Sequence, residues 1–200
     1  EPVLRVVFDA IVPLTPFLSL VRDVRSAKAP TRVTLSVDSL DGVTQRFEQE
    51  QAQVMVTVLP VETSPSLEVR SLPKLRARLV AHRTHPLAKL TKVTPEVLAE
   101  HVLLTVRGSD PRLRLATAEL DRQSTVHVSD FHSKKAAIAE GLGFGWLPDW
   151  LIERELERGE LRPLKLTQGA VHVFEPRVVV RTSHAGRASR ALVTHLTSQP

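Results

Sequence analysis

The N-terminal part of the chain alternates strand-like and helix-like segments, and this alternation constrains the fold more than any other feature. Val3–Phe8 is a nearly continuous apolar run, as expected for a strand buried on both faces of a parallel sheet. Strand patterns recur at Arg32–Val37 and Val54–Leu59. Helical spacing of apolar residues predicts helices between these strands, over Pro13–Val24 and Leu40–Gln51. The order strand–helix–strand–helix–strand predicts right-handed parallel crossovers in an α/β domain.

The rest of the chain supplies further strands and short helices. Extended runs are predicted at Leu67–Leu72, Leu75–His82, Val102–Val106, Thr125–Val128, Phe144–Leu147, Val171–Phe174 and Arg177–Arg181. Helices are predicted near Pro95–Glu100, over Asp149–Arg158 and over Ala188–Leu196, with a turn at His85-Pro86. Polar loop residues follow Val106, and the stretch from Arg112 to Gln123 has no clear period.

A glycine-rich block at Gly141–Gly145 holds three of the eight glycines of the chain. A phosphate-binding glycine loop follows a strand and opens a helix, so that the phosphate meets free N–H groups. Here a predicted helix, Ser133–Glu140, comes first, and Gly141 fits the left-handed position just past its end. A short buried strand then runs to Pro148. This polarity excludes a dinucleotide cradle and predicts a tight helix-to-strand turn.

Composition limits the compartment and the partners. The 200 residues include no cysteine, which excludes disulfides and a thiol nucleophile and suits a reducing, cytoplasmic setting. No apolar run approaches the roughly 20 residues of a membrane span, so we expect no membrane partner. The N-terminus has no basic region or cleavage segment of a signal peptide and begins abruptly in a strand. We therefore expect a fragment of a longer protein.

The positive charge of the chain is thinly spread. Lys and Arg exceed Asp and Glu by 27 to 22, which gives a net charge of +5. The region after residue 176 carries four Arg and no acidic residue, but no stripe of basic residues is interleaved with aromatic ones. Such a distribution is typical of a solvated mixed-charge surface, and it argues against direct nucleic-acid binding by these residues.

No catalytic, metal or cofactor site is predicted. The chain has no G-x-S-x-G elbow, and no Ser, His and Asp are marked as a triad. His82 and His85 lack neighbouring carboxylates or cysteines in a metal-binding spacing. Paired acids such as Glu48 and Glu50 fit a solvated helix face. We therefore expect a protein that is not an enzyme and that needs no cofactor.

Three segments in order resemble a known family. They are Leu79–Ala88 (LVAHRTHPLA), Ala136–Pro148 (AAIAEGLGFGWLP) and Leu156–Leu164 (LERGELRPL). Each motif is weak alone, but their order and spacing behind the α/β start are fairly specific. The chain resembles the effector-binding (regulatory) domain of LysR-type transcriptional regulators nearly from end to end.

The resemblance implies an α/β fold of the type II periplasmic-binding-protein kind, with two Rossmann-like subdomains. Subdomain I would comprise residues 1–74 plus 178–200, and subdomain II residues 75–177. A small-molecule effector would lie in the cleft between them. The family's helix-turn-helix domain, which binds DNA, has no counterpart in these residues. Family members assemble as homodimers or homotetramers, and the helix Pro13–Arg25 and strand Arg32–Val37 are candidates for such an interface.

Candidate ligand residues follow from the rule that ligands bind beyond the carboxyl ends of strands in open α/β sheets. The residues at these positions are Asp9, Ala10, Ile11, Asp38, Ser39, Leu59, Pro60, Thr105, Arg107, Phe131, His132 and Ser133. Trp146, at the end of the glycine block, is a further candidate. Free N–H groups at helix starts favour anionic ligands. Family members often have Ser or Thr where this chain has Asp9, and this departure leaves amine-bearing or neutral ligands open.

Each of the more distinctive candidates has a structural alternative. Asp9 could serve only to cap the first helix, and Asp38 and Ser39 could be caps as well. His132 could be a surface residue, and Trp146 could belong to the core. Three functions compete: a ligand-sensing regulatory domain, a solute-binding protein of a transporter with the same fold, and an enzyme on that fold. The lack of a signal sequence and of a catalytic constellation favours the first.

Overall fold

The chain divides into two compact units in the computed structural model, which describes residues 2–26, 31–62, 64–106, 113, 115–118, 120, 124–184 and 186–198. Unit 1 comprises Glu1–Lys74 and Glu175–Pro200, and unit 2 comprises Leu75–Phe174. The assignment of the two regulatory subdomains to residues 1–74 plus 178–200 and 75–177 stays a prediction.

Strands and helices alternate along the described chain. The strands are β1 Val3–Asp9, β2 Arg32–Asp38, β3 Val54–Thr57, β4 Leu67–Ser71, β5 Leu75–His82, β6 Leu103–Val106, β7 Thr125–Val128, β8 Phe144–Pro148, β9 Leu161–Pro163, β10 Val171–Phe174 and β11 Arg177–Arg181. The helices are α1 Thr15–Ser26, α2 Asp41–Gln49, α3 Pro86–Lys89, α4 Pro95–Ala99, α5 Phe131–Ala139, α6 Asp149–Glu157 and α7 Arg187–Thr197. A 3-10 turn covers Thr182–His184.

Unit 1 is built on a mixed sheet with the strand order β2-β1-β3-β11-β4. The central strand β1 pairs in parallel with both β2 and β3, as the alternating sequence pattern predicted. The returning strand β11 is antiparallel to β3 and β4. Because parallel strands end at the same edge, the carboxyl ends of β1, β2 and β3 lie side by side.

Helix α2 contributes to a core beneath this sheet. Its buried residues Val43 and Phe47 pack with Val7 of β1 and Met55 of β3. The guanidinium of Arg181 lies 4.2 Å from the centroid of the Phe47 ring, and its Nε donates to the Ala52 carbonyl at 3.0 Å. Through these two contacts, Arg181 links β11 to the C-terminal end of α2.

Unit 2 has its own sheet, with the order β10-β5-β8-β6-β7 and with β9 paired to β5. Strand β6 is parallel to β7 and β8, whereas β5 is antiparallel to β8, β9 and β10. Its core cluster joins the sheet residues Val80, Leu104 and Leu147 to Ile138 of α5 and Ile152 of α6. The start of α5 therefore lies beside the carboxyl ends of β6 and β7.

Three local features differ from the sequence prediction. The turn predicted at His85-Pro86 opens the short helix α3, where His85 Nδ1 accepts the Leu87 N–H at 3.2 Å. Helix α5 begins at Phe131 rather than at Ser133, because Asp130 is its N-cap and accepts the Ser133 N–H at 2.8 Å. Strand β9 is three residues long and contains Pro163, so it is too short to show the alternating hydrophobic pattern that predicts a strand.

The glycine block makes the predicted helix-to-strand turn, and two of its glycines are required for different reasons. Gly141 has φ 79°, the left-handed conformation expected just past the end of α5. Gly143 has an ordinary φ, but a Cβ atom there would collide with the Val102 carbonyl oxygen. The first glycine permits a turn, and the second permits close backbone approach.

None of the helices in the described ranges is long and apolar enough to cross a membrane.

Replacing Gly143 with alanine should therefore cost more stability than replacing Gly141. The Gly143→Ala methyl meets a backbone atom that cannot move aside, so we expect a loss at or above the upper end of about 1–3 kcal/mol. Gly141→Ala meets no atom within 4 Å and carries only the left-handed backbone penalty of about 1–2 kcal/mol. Urea unfolding of the two variants and the wild type measures both losses. Equal losses would contradict the explanation for Gly143.

Candidate functional site

Two neighbouring parallel strands in unit 1 each end in an aspartate. Asp9 of β1 and Asp38 of β2 are register partners in the parallel ladder. The N–H of Ala10 donates to the Asp38 carbonyl at 2.8 Å, which continues the pairing past the strand end. The sheet therefore brings together the candidates Asp9, Ala10, Asp38 and Ser39.

The carboxylate of Asp9 is buried and fully engaged with the backbone. The residue is only 2% exposed, and its two oxygens accept the N–H groups of Ile11 and Leu40, each at 3.0 Å. Burial raises the pKa of Asp9 to about 6, the charge of Asp38 adds to this rise, and the two N–H donors oppose it. Asp9 is thus not a cap of α1, which begins at Thr15. It joins the end of β1 to the turn before α2.

Asp38 lies at the same turn but is partly exposed to solvent. Its carboxylate accepts the Ser39 N–H at 2.8 Å and the Nε of Arg46 at 3.0 Å. The side chain occupies the space where a Cβ of residue 42 would lie, so only glycine fits there. Leu40 between them has φ 52°, a strained conformation for a leucine. The polar contacts of both aspartates hold this strained turn in place.

The other candidates of unit 1 differ in exposure. Ile11 and Leu59 are buried, at 4% and 2% exposure, and contribute to the core beneath the strand ends. Pro60 is exposed, and Ala10 and Ser39 are half-buried. The candidates of this unit that are exposed enough to touch a ligand directly are therefore Ala10, Asp38, Ser39 and Pro60.

The candidates of unit 2 gather at the ends of β6 and β7. Thr105 of β6 is half-buried, and its hydroxyl donates to the Val106 carbonyl at 3.2 Å. Ser133 is exposed, and its hydroxyl donates to the Asp130 carboxylate at 2.7 Å. His132 is exposed at the start of α5, whereas Phe131 packs partly against the core. Arg107 lies outside the described residues.

Trp146 belongs to the interior of unit 2. It is 5% exposed, and its indole N–H donates to the hydroxyl of Thr117 at 2.9 Å. The imidazole of His172 meets it edge to face, with ring centroids 6.4 Å apart. A buried indole whose N–H is already bonded is a core element, so the structure favours the core alternative for Trp146.

Lys134 is a buried charged residue that the sequence prediction missed. It is 4% exposed, and burial lowers the pKa of its amine to about 7. A signal was present, because Phe131, Lys134 and Ile138 share one helix face by their spacing. Two adjacent lysines are typical of a solvent-exposed surface, so the sequence did not show that Lys134 is buried whereas Lys135 is partly exposed. Within the described ranges, no group of three or more His, Cys, Asp or Glu residues could hold a metal ion.

The buried carboxyl of Asp9 should make stability depend on pH. Its pKa rises from 3.8 in the unfolded chain to about 6 in the fold, so the native state binds the proton more tightly. As pH falls from about 6 towards 3.8, this group should add up to roughly 3 kcal/mol to the free energy of unfolding, at ~1.4 kcal/mol per pKa unit. Asp9→Asn should lack this gain.

Urea unfolding at a series of pH values, for wild type and Asp9→Asn, tests this. Asp41→Asn is the matched control, because Asp41 is exposed in the first turn of α2. The wild type and the control should gain stability over Asp9→Asn as pH falls. Parallel curves for all three proteins would contradict the role of the buried carboxyl.

Several solved structures share this fold. ArgP from Mycobacterium tuberculosis matches 98% of this chain and 66% of its own, with a TM-score of 0.78 and 17% identity. The regulatory domain of CcmR from Synechocystis PCC6803, solved in complex with 2-PG, matches 98% of this chain and 96% of its own, with a TM-score of 0.76 and 18% identity. At these identities the likeness shows the fold, and it confirms the predicted α/β class of LysR regulatory domains.

Sequence comparison identifies the family. The HTH-type transcriptional regulator YhaJ of Escherichia coli is 30% identical over 169 residues, which cover 81% of this chain and 55% of that protein. The chain therefore spans about half the length of the curated relatives it matches. The family described as "LysR substrate binding domain" matches residues 1–200. The chain belongs to the family of LysR substrate-binding domains.

Proposed function

We propose that this chain is the effector-sensing regulatory domain of a cytoplasmic LysR-type transcriptional regulator and has no enzymatic activity. The single observation that carries this proposal is the family match along residues 1–200. It is supported by the relative YhaJ, which is a transcriptional regulator, and by solved relatives of the same fold with bound small molecules. In one of them, LysG from Corynebacterium glutamicum, the bound effector is Arg.

In this role, DNA is contacted by a helix-turn-helix domain outside these residues. The relatives named as HTH-type regulators support this division, as does the thin spread of basic residues along the chain. An effector acts on the DNA-binding form only through a difference in its affinity for two arrangements of the protein.

We propose that strand-end residues of this chain contact the effector. In unit 1 these are the half-buried or exposed Ala10, Ser39 and Pro60, with Asp9 and Asp38 fixing the turn around them. In unit 2 they are Thr105, Phe131, His132 and Ser133. Ile11, Leu59 and Trp146 are buried, so we do not propose them as direct contacts.

A metabolite screen by thermal shift tests the sensing function. A specific ligand present at about 100 times its Kd stabilises the native state by roughly 2.7 kcal/mol, so the unfolding temperature should rise by several degrees. Ser39→Ala and His132→Ala should each weaken this ligand about tenfold, since each removes one polar contact worth about 1 kcal/mol.

His127→Ala is the matched control, because His127 is another exposed histidine of unit 2 on β7. It should leave the shift unchanged. A ligand whose affinity is the same in Ser39→Ala, His132→Ala and wild type would contradict the strand-end contacts. A screen in which no metabolite stabilises the wild type would count against effector sensing itself.

We further propose that the domain forms a homodimer, or a homotetramer, through the α1 and β2 face of unit 1. Strand β2 is an edge strand, and Val37 on it is 49% exposed. Leu14, just before α1, is 43% exposed, and Leu18, within α1, is 48% exposed. Exposed large aliphatic side chains and an open strand edge each favour association with a second copy.

Leu18→Glu should shift the protein towards monomer in sedimentation velocity, because burying a carboxylate in an apolar interface is costly. Leu90→Glu is the control, since Leu90 is also exposed, at 38%, but lies in unit 2. It should sediment like the wild type. A wild type that stays monomeric at high protein concentration, or a Leu18→Glu variant that stays dimeric, would contradict this interface.

A further inference from the structure

The amine of Lys134 is a buried charge without a charged partner. The residue is 4% exposed, and its amine makes no hydrogen bond or ion pair to any residue in the described part of the chain. Its neighbour on the same helix, Lys135, is the opposite case. Lys135 Nζ donates to the Glu155 carboxylate at 2.6 Å and to the Leu151 carbonyl at 3.1 Å.

The surroundings of Lys134 are apolar and shaped to receive it. A Cβ atom at Gly145 would lie 2.7 Å from the Cε of Lys134, so the glycine makes room for the lysine stem. The same Cβ would lie 3.3 Å from the Cδ1 of Ile138. The amine nitrogen sits 5.6 Å from the centroid of the Phe131 ring, at the start of α5. The stem is thus packed in the core while its head points towards the first residue of the helix.

The energetics of this position are unfavourable in the ligand-free domain. A cation–π contact offsets only a part of the free energy that it costs to remove an ammonium from water. A positive charge beside a helix start also opposes the helix dipole. Burial accordingly lowers the pKa of Lys134 to about 7, so much of the charge is lost near neutral pH. An anion placed beside the amine would offset each of these costs.

The amine is almost, but not completely, enclosed. Among the described residues, no completely enclosed side-chain nitrogen or oxygen lacks a hydrogen-bond partner. Since Lys134 Nζ has no such partner, it keeps a small accessible surface. The carboxylate of Asp130, the N-cap of α5, accepts the Ser133 N–H and hydroxyl, at 2.8 and 2.7 Å.

We propose that Lys134 is the counter-charge for an oxyanion group of the effector, a carboxylate or a phosphate, bound beside Phe131 at the start of α5. This proposal rests on the proposed effector-sensing function and names the chemical class of the ligand. Asp9, at the end of β1, left amine-bearing or neutral ligands open, but its carboxylate is buried and bonded to two backbone N–H groups.

Thermal unfolding with simple anions tests the site. The probes are sodium acetate and inorganic phosphate, compared with neutral acetamide, at an ionic strength held constant with sodium chloride. The wild type should be stabilised by acetate or phosphate and not by acetamide, and the anion that acts shows which oxyanion fits. Lys134→Met should unfold at a higher temperature than the wild type without anion, and it should lose the anion response. Lys135→Met, the matched control on the same helix, should keep the response.

A second measurement does not depend on the Met variant folding. In wild type labelled with ¹³C at the lysine ε-carbon, the signal assigned to Lys134 by its loss in Lys134→Arg should move when the active anion is added. An unmoved signal, or an equal anion response in wild type and Lys134→Met, overturns the proposal. A metabolite that stabilises wild type and Lys134→Met equally leaves effector sensing intact and removes Lys134 from it.

Discussion

Parallel pairing of β1 with β2 and β3 is the constraint on which unit 1 depends. It brings three strand ends to one edge, where the turns must satisfy backbone N–H groups without help from the sheet. Asp9 meets this need with one side chain, because its carboxylate accepts the N–H groups of Ile11 and Leu40. The turn before α2 can then keep the strained φ of Leu40. The sequence suggested Asp9 as a ligand-binding residue, but in the structure its carboxylate stabilises the turns at this edge of the sheet.

Much of this fold is predictable from the sequence because its main strands are long and buried on both faces. β1 is an apolar run broken by Arg5, and the glycine block has the polarity of a helix-to-strand turn. The short elements α3 and β9 were not predictable, since neither is long enough to show a period. The start of α5 was placed two residues too late, at Ser133 instead of Phe131, as is common for helix boundaries read from sequence.

The candidate site was predictable in position but not in direction. The strand-end rule identifies which residues lie at the edge, and it cannot say whether a side chain turns inwards. Trp146 turns into the core because its indole N–H finds the hydroxyl of Thr117, a residue in a stretch without sequence pattern. Lys134 turns inwards because Gly145, on another strand, leaves space for its stem. Both outcomes depend on contacts between residues far apart in the chain.

Asp9 and Lys134 show two fates of a buried charge. The fold provides Asp9 with two donors, so its burial is compensated within the native state and needs nothing from outside. The amine of Lys134 contacts only the ring of Phe131, so in our proposal the desolvation cost of its charge is offset only when an anion binds. A group that lowers stability when alone and recovers it with a ligand gives the occupied and empty states different free energies. Such a difference is the property that a sensor needs, because a ligand shifts an equilibrium only by its differential affinity for the two states.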